Sequence, residues 1–363
     1  MQLFLDAFKQ VPDPRAKNTR YDLAEILMVA FVAVLSGAQN CCEMVAFGNA
    51  KIKFFKRFLN LTHGIPSHDT LSAVLRMIDP KALDASFANL TSTLINKLGK
   101  AGVIAIDGKA LKGAHDKGKA HAPRMMVSAY ATGLRMTLAT LEAENGNEVD
   151  AALEVLGLID LKGKIVTGDA LHCNRRMVAT IIAAGGDYCL ALKENQASLL
   201  SDARSYLSKA RKPQVKAVVE SKGHGRVERR EARITSAKGL AKHHDFPGLK
   251  AVGEVVSTRE IDGKIETDVR VFALSCKLSP EQFLGSVRAH WQIENALHWQ
   301  LDVSFREDAA RTRRDNGPAN IAVLRRRALD VARRDKSKGS LTEKLKRAGW
   351  NHELLLKMLS HMR

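Results

Sequence analysis

The order of apolar runs and amphipathic segments between residues 102 and 192 limits most strongly the folds that this chain can adopt. Three short apolar runs come first. They are followed by a segment with helical spacing, a fourth apolar run, a second helical segment and a fifth apolar run. Short runs of this kind are typical of buried strands, and apolar residues three and four positions apart are typical of helices. The region is therefore predicted as strand, strand, strand, helix, strand, helix, strand.

This element order is the one expected of a ribonuclease-H-like fold, which belongs to the α/β class. We expect the first and fourth strands of such a sheet to lie side by side. The two predicted helices pass through Val149–Leu158 and Met177–Ile182. The five predicted strands are 103–106, 124–130, 136–141, 164–167 and 188–192.

The segments on either side of this region have other patterns. Helical spacing, which includes Ala82–Leu98, predicts a helical N-terminal domain over residues 1–98. Residues 99–363 are predicted to form a second domain. It contains a β-rich insertion at about 205–278, where two-residue alternation returns, and a basic helical part at about 309–363.

Two aspartates at the ends of predicted strands are candidate catalytic residues. Asp107 closes the apolar run 103–106, and Asp169 closes the fourth strand. The Ile-Asp-Gly-Lys motif around Asp107 recurs at 261–264, where alternating flanks indicate an ordinary hairpin turn, so the motif alone proves nothing. Neighbouring strands hold their terminal carboxylates at one edge of the sheet. Asp107 and Asp169 are therefore predicted to share a metal site.

Glu294 is the third candidate carboxylate. It lies in an apolar helical stripe that runs from Leu284 to Leu301, and an ionised carboxylate facing a core is costly unless it is paired or binds a metal. Alternatively, the stripe faces a groove or Arg288 pairs with Glu294. Three converging carboxylates can hold two Mg²⁺ ions, which activate a water or a 3′ hydroxyl and stabilise the leaving oxygen during phosphodiester cleavage.

The composition indicates an anionic partner. There are 57 Lys and Arg residues against 39 Asp and Glu, which gives a formal net charge of +18 and a pI near 9.8. This excess favours a polyanionic partner, although a generally basic, solvated surface would have the same composition. Positive charge is concentrated between residues 311 and 347, where we expect phosphate contacts from Arg311, Arg313, Arg314, Arg325, Arg326 and Arg327.

A candidate base-reading helix follows the turn at 64–66. Ser67 or Asp69 is placed to cap it. A turn followed by a capped amphipathic helix matches the second half of a helix-turn-helix, and it matches any other capped helix equally well. If this helix enters a DNA groove, the side chains predicted to contact base edges are His68, Thr70 and Ser72.

Several other classes of protein are excluded. The sequence has no Gly-x-x-x-x-Gly-Lys phosphate loop, no Gly-x-Ser-x-Gly nucleophile elbow and no His-Glu-x-x-His zinc motif. The five cysteines form no Cys-x-x-Cys pair, and the run Ile26–Leu35 is too short to span a bilayer, so we expect a cytoplasmic protein. Four histidines remain candidate ligands or proton carriers: His172, His224, His290 and His298.

Nine short segments, spread over nearly the whole chain, form a recognisable set. They are Asp13-Pro14-Arg15, Ala105–Lys109, Thr167–His172, Leu192–Gln196, His224–Arg226, His290–Asn295, Leu297–Trp299, Leu301–Val303 and Glu307-Asp308. In these segments the chain resembles the DDE insertion-sequence transposases, and most closely the branch that includes the H-repeat-associated proteins.

The resemblance implies a DDE triad of Asp107, Asp169 and Glu294, and a helical N-terminal region that binds DNA. It implies Mg²⁺ as the cofactor, with Mn²⁺ as a substitute. The implied partners are transposon-end and target double-stranded DNA, bound by a homodimer or a higher oligomer. Further DNA contacts are predicted at Lys109, Lys112, Lys193 and Arg226.

One departure from the broader group of related transposases limits this transfer. That group has tyrosine seven residues and arginine four residues before the glutamate, and lysine seven residues after it. Here the three positions are Val287, His290 and Leu301, so the DNA contacts of that motif are not carried over.

The predicted function is therefore cleavage at transposon ends followed by strand transfer. A domesticated DNA-binding protein is one alternative on the same fold, and intact carboxylates argue against it. A structure-directed nuclease without strand transfer is the other, and an assay for joined products separates the two.

Overall fold

The structure is a computed structural model that describes residues 1–17, 19–88, 90–91, 99, 102–114, 124–209, 217–223 and 226–360. Its strands are β1 (Val103–Ala110), β2 (Met125–Ala131), β3 (Met136–Glu142), β4 (Ile165–Gly168), β5 (Asp187–Leu192), β6 (Ala217–Gly223), β7 (Arg226–Ser236), β8 (Ala251–Ile261) and β9 (Lys264–Leu274). They form one mixed sheet in the order β3-β2-β1-β4-β5-β9-β8-β7-β6.

Strands β1 to β5 have the order and the intervening helices that the sequence predicts. β1, β2 and β3 are antiparallel neighbours, whereas β1, β4 and β5 are parallel to one another. The prediction that the first and fourth strands lie side by side is confirmed by the pairing of β1 with β4. The parallel part of the sheet has one edge at which the carboxyl ends of β1 and β4 meet.

The predicted β-rich insertion continues this sheet instead of forming a separate unit. β9 pairs with β5 through Cys189 and Leu274, and β8, β7 and β6 follow as antiparallel neighbours. The Asp262-Gly263 turn joins β8 to β9, and both residues have positive φ angles, as a two-residue hairpin requires. The second Ile-Asp-Gly-Lys motif is therefore a turn, as the sequence predicts.

Most helices precede or follow the sheet strands in the chain. They are α1 (Gln2–Lys9), α2 (Leu23–Leu35), α3 (Cys41–Ala50), α4 (Ile52–Phe55), α5 (His68–Met77), α6 (Pro80–Ala85), α7 (Glu148–Gly157), α8 (Arg175–Ala183), α9 (Ala197–Lys209), α10 (Leu240–His243), α11 (Pro280–Gln292), α12 (Trp299–Val303), α13 (Gly317–Arg334), α14 (Leu341–Trp350) and α15 (His352–Ser360). A π-helical turn, Ile293–His298, joins α11 to α12.

The N-terminal and C-terminal helices share one hydrophobic core. It contains Phe31 of α2, Leu75 of α5, Leu324 of α13, Leu345 of α14 and Met358 of α15, all of them buried. The apolar run after Glu25 is a buried helix, as predicted, since every residue of α2 except Glu25 is buried. The C-terminal helices, which the sequence groups with the catalytic domain, thus complete the core of the N-terminal ones.

The two faces of the sheet are covered by different helices. Ile104 and Ile106 of β1 face the core formed with α7 and α8, whereas Ala105 faces the core that contains Ile293 and Leu297. Side chains alternate along a strand, so Asp107 belongs to the face that the π-helical turn covers. Within the described residues, no helix is long and apolar enough to cross a membrane.

Candidate active site

Asp107 and Asp169 lie level with each other at one edge of the parallel strands. The pairing of β1 with β4 ends at Ala105 and Thr167. Each aspartate lies two residues beyond the last residue of this pairing. The sequence predicts that Asp107 closes its strand. That prediction is wrong, because β1 continues to pair with β2 as far as Ala110. The backbone of β1 is therefore held by hydrogen bonds to β2 both before and after Asp107.

Asp107 is surrounded by negative charge. Its side chain is 19% exposed. Burial, reinforced by the charges of Glu148 and Asp169, raises the pKa of Asp107 to about 7. The backbone N–H of Gly108 acts in the opposite direction and lowers the pKa. Carboxylates crowded in this way are a feature of functional sites, and a cation would relieve their repulsion.

His172 connects Asp169 to a fourth acidic residue. Its Nδ1 lies 2.9 Å from Asp169 Oδ1, and its Nε2 lies 3.6 Å from Glu148 Oε1. The imidazole is 1% exposed. Burial opposes the ionisation of Asp169, but hydrogen bonds from the His172 ring and from the backbone N–H groups of His172 and Leu171 outweigh it and lower the pKa. Asp169 is therefore held as an ionised acceptor.

Glu294 lies in the π-helical turn and is exposed, so the prediction that it faces the core is wrong. Val287 and Trp291 of the same stripe line a cleft together with Glu294, so the alternative that the stripe faces a groove holds for this part of it. Such single π turns are frequent at functional sites. The cleft has a volume of about 400 Å³, and its walls include Asp169, Lys193, Arg270, His290, Trp291 and Glu294.

Two histidines of the same helical segment are uncharged at neutral pH. Burial lowers the pKa of His290 to about 4 and that of His298 to about 3. His290 Nδ1 is 3.2 Å from the hydroxyl of Thr167, and His298 Nδ1 is 3.5 Å from Asp107 Oδ2. They pack α11 and the π turn against β4 and β1 without adding charge.

Lys109 is buried, so the prediction that it contacts DNA is wrong. It is 7% exposed, and its ammonium lies 2.8 Å from Asp302 and 2.9 Å from Asp308. A lysine paired with two carboxylates has no free charge to offer a phosphate. Lys112 is 71% exposed and pairs with Asp308 at the surface, and Lys193 is exposed at the cleft.

The three consecutive arginines of α13 are also buried, and their predicted phosphate contacts are wrong. Arg325, Arg326 and Arg327 are 3%, 0% and 3% exposed. They donate to Gln39 O, to Glu307 and to Asp84 respectively. Their place on a helix between the sheet and the helical core, which the count of basic residues cannot reveal, makes them part of the interior.

Of the other residues predicted to contact DNA, some line a surface groove and others have atoms outside the described residues. The groove has a volume of about 1100 Å³ and brings together Arg311, Arg313, Arg314, His68 and Ser72. Ser67 caps α5 by accepting from the Thr70 N–H, and the Thr70 hydroxyl turns back to Ser67. Arg226 begins β7, but its side chain and the whole of His224 lie outside the described residues.

Comparison with known proteins places the chain. Residues 98–329 match the family described as Transposase DDE domain, and residues 5–91 match the one described as DDE_Tnp_1-associated. The chain belongs to the DDE transposase family. YbfL and the H repeat-associated protein YhhI, both of Escherichia coli strain K12, are 32% and 31% identical over 362 residues, with 96% of each chain covered. A piggyBac transposase synaptic complex with hairpin DNA has a TM-score of 0.45 at 10% identity and covers 100% of this chain and 80% of that one.

The carboxylates of this DDE family member fit divalent cations. Carboxylate oxygens are preferred ligands of Mg²⁺, and the charge crowded around Asp107 is of the sign that a cation offsets. Among the described residues, three ligand atoms come within 4.8 Å of one another at Asp202, His243 and His244, which lie outside the cleft. Asp107, Asp169 and Glu294 do not form such a group.

Sequence reasoning missed Glu148, the acidic neighbour of Asp107 and His172. It is the first residue of α7, which Asn147 caps. Acidic residues are common in the first turn of a helix because they interact favourably with the helix dipole, so Glu148 carried no signal of its own. Asp302, Glu307 and Asp308 lie in segments that resemble the DDE family, and the structure shows that they pair with Lys109 and Arg326.

Proposed function

We propose that this chain is an insertion-sequence transposase that cleaves DNA at transposon ends and joins those ends to target DNA. The observation that carries the proposal is the level placement of Asp107 and Asp169 on adjacent parallel strands, beneath the helical segment that carries Glu294. The matching family supports the same reaction. On this proposal, β1 to β5 with α7 and α8 form a ribonuclease-H-like catalytic core.

The proposed chemistry divides between the cofactor and the chain. When bound, Mg²⁺ would activate the attacking water or 3′ hydroxyl and stabilise the leaving oxygen. Asp107, Asp169 and Glu294 would hold the cations. His172 keeps Asp169 ionised and oriented through the 2.9 Å contact, and exposed Lys193 would bind a phosphate of the DNA strand that enters the cleft.

An assay for joined products tests the proposal. The full chain is incubated with Mg²⁺, a supercoiled target plasmid and a labelled duplex, which either ends in the element's inverted repeat or carries flanking DNA beyond that repeat. We expect labelled plasmid, formed only when the duplex carries the terminal 3′ hydroxyl. Cleavage without any joined product would favour the nuclease, and DNA binding without cleavage would favour the domesticated protein.

The basic groove is proposed to hold the DNA backbone. Three of the arginines that line it, Arg311, Arg313 and Arg314, are exposed, and they share the groove with α5. We expect their replacement by alanine to weaken binding to any duplex. Each lost phosphate contact lowers the slope of log K against log salt by about 0.9, so the triple variant should lose up to about 2.7.

A matched control removes the same charge elsewhere. Lys162, Lys238 and Lys242 are exposed and do not line the groove. Their triple alanine variant should keep the slope of the unmodified protein. Equal slopes in the two triple variants would show that the groove arginines have no special part in binding.

Base reading is proposed for the groove side of α5, where His68 and Ser72 lie. Alanine at either position should reduce the preference for end DNA over random DNA by about 1–3 kcal/mol per good contact while bulk binding survives. Deleting the N-terminal helices is unsuitable, because it would expose the shared core. Met77→Ala, an exposed position on α5 outside the groove, is the control. An unchanged preference in both groove variants would assign recognition to another surface.

A further inference from the structure

Glu148 occupies a space that exists only because residue 108 is glycine. A Cβ at Gly108 would lie 2.5 Å from Cδ of Glu148, and 2.6 and 2.8 Å from its two carboxylate oxygens. Van der Waals repulsion forbids such contacts, so the glycine allows the carboxylate to press against β1 directly beside Asp107. The Gly108 backbone N–H lies near both carboxylates and acts to lower the pKa of each. Glu148 and Asp107 are thus neighbours around one amide group.

The Glu148 carboxylate is also linked to Asp169, the aspartate that follows β4. The buried His172 ring lies between them, with Nδ1 2.9 Å from Asp169 and Nε2 3.6 Å from Glu148. Glu148 therefore contacts both parts of the site: β1 at Gly108, and the loop after β4 through His172.

This arrangement is unfavourable for folding alone. The Glu148 side chain is only 16% exposed, and its negative charge acts on Asp107. Where the structure describes the surroundings of Glu148, its ion-pair partner is His172 and no lysine or arginine. A helix needs no such residue for its dipole, because Asp150 in the same first turn lies at the surface and pairs with Arg176 at 2.8 Å.

We propose that Glu148 is a fourth carboxylate of the metal site, binding a divalent cation together with Asp107. The inference rests on the metal-dependent function proposed above. A cation between Glu148 and Asp107 offsets the repulsion that the fold otherwise bears. His172, whose ring donates to Asp169 and lies 3.6 Å from Glu148, acts as a positioning residue for both.

Mn²⁺ binding to the full chain without DNA tests this proposal by calorimetry or by electron paramagnetic resonance of free Mn²⁺. Glu148→Gln should weaken binding by at least about tenfold, because even residues that only support metal ligands contribute tenfold to a hundredfold. Gly108→Ala should weaken it similarly by displacing the carboxylate. Glu154→Gln is the matched control, since Glu154 lies on the same helix and pairs with Lys81 at the surface.

Two comparisons separate the possible outcomes. If Asp107→Asn and Asp169→Asn lose Mn²⁺ binding while Glu148→Gln retains it, the fourth ligand is disproved and the proposed function stands. If none of the three changes the affinity, the metal site itself is misplaced and the proposed function fails with it. A Glu148→Gln protein that unfolds at the same temperature as Glu154→Gln, but binds Mn²⁺ tenfold more weakly, supports the proposal.

Discussion

Asparagine at Asp107 or Asp169, or glutamine at Glu294, is expected to abolish DNA cleavage while DNA binding persists. Each change removes charge and keeps shape. Metal-held oxygens contribute several kcal/mol to the transition state, and each 1.36 kcal/mol is tenfold in rate, so we expect at least about a thousandfold loss. Single-turnover cleavage and a gel-shift titration, measured on the same preparation, provide the two readouts.

The chain contains its own control for this experiment. Asp262 lies in the same tetrapeptide as Asp107, but it occupies the β8–β9 hairpin turn with a φ of +49°. Asparagine tolerates that conformation, so Asp262→Asn should cleave at the unmodified rate. Asp107→Asn should be no less stable than the unmodified protein, because it relieves repulsion among buried charges. Full cleavage by any one of the three variants would remove that residue from the triad.

Alanine at Glu307 is expected to destabilise the fold by about 3–5 kcal/mol, because it leaves the buried guanidinium of Arg326 without its counter-charge. Both side chains are fully buried, and their closest N and O atoms are 3.1 Å apart. Arg326 also donates to Ser128 of β2, so the pair joins α13 to the sheet. Urea unfolding at neutral pH, with an unchanged slope against denaturant, would measure the loss as a shift in midpoint.

An exposed ion pair serves as the control for this loss of stability. Glu154 and Lys81 are 50% and 43% exposed, and such pairs contribute about 0–1 kcal/mol. Glu154→Ala should therefore shift the midpoint little. If Glu307→Ala shifts it no more than Glu154→Ala does, water reaches Arg326, and the interior position that we assign to the α13 arginines is wrong.

The strand order of the central region could be predicted because its cause is local. Each buried strand is a short apolar run, and the change from two-residue to three- and four-residue spacing marks each helix. Asp107 and Asp169 followed from the same pattern, since a polar residue after such a run lies at a sheet edge. The predicted cap at Ser67 is confirmed, and its cause is also local, because the hydrogen bond joins residues only three positions apart.

Burial of charged residues could not be predicted, because it depends on distant partners. Arg327 is buried because Asp84, 243 positions away, accepts its hydrogen bond. Lys109 is buried because Asp302 and Asp308 lie opposite it. A count of basic residues treats such side chains and the exposed Arg311 alike. Glu148 was missed for the same reason, since its position depends on Gly108 and His172, which lie on other parts of the chain.

The shared core of the first and last helices has a consequence for synthesis. Residues 92–316 separate the two groups, and a ribosome that adds 5–20 residues per second needs roughly 10–45 s to cross them. During that interval α2, apolar on nearly every side, has emerged without the helices that will cover it. Apolar surface exposed in this way makes a nascent chain prone to aggregate, and chaperones act on such surfaces. Arg326, which bonds to β2 and to Glu307, is synthesised after Asp107, Asp169 and Glu294, so a polypeptide released before Arg326 carries these acidic residues without that support.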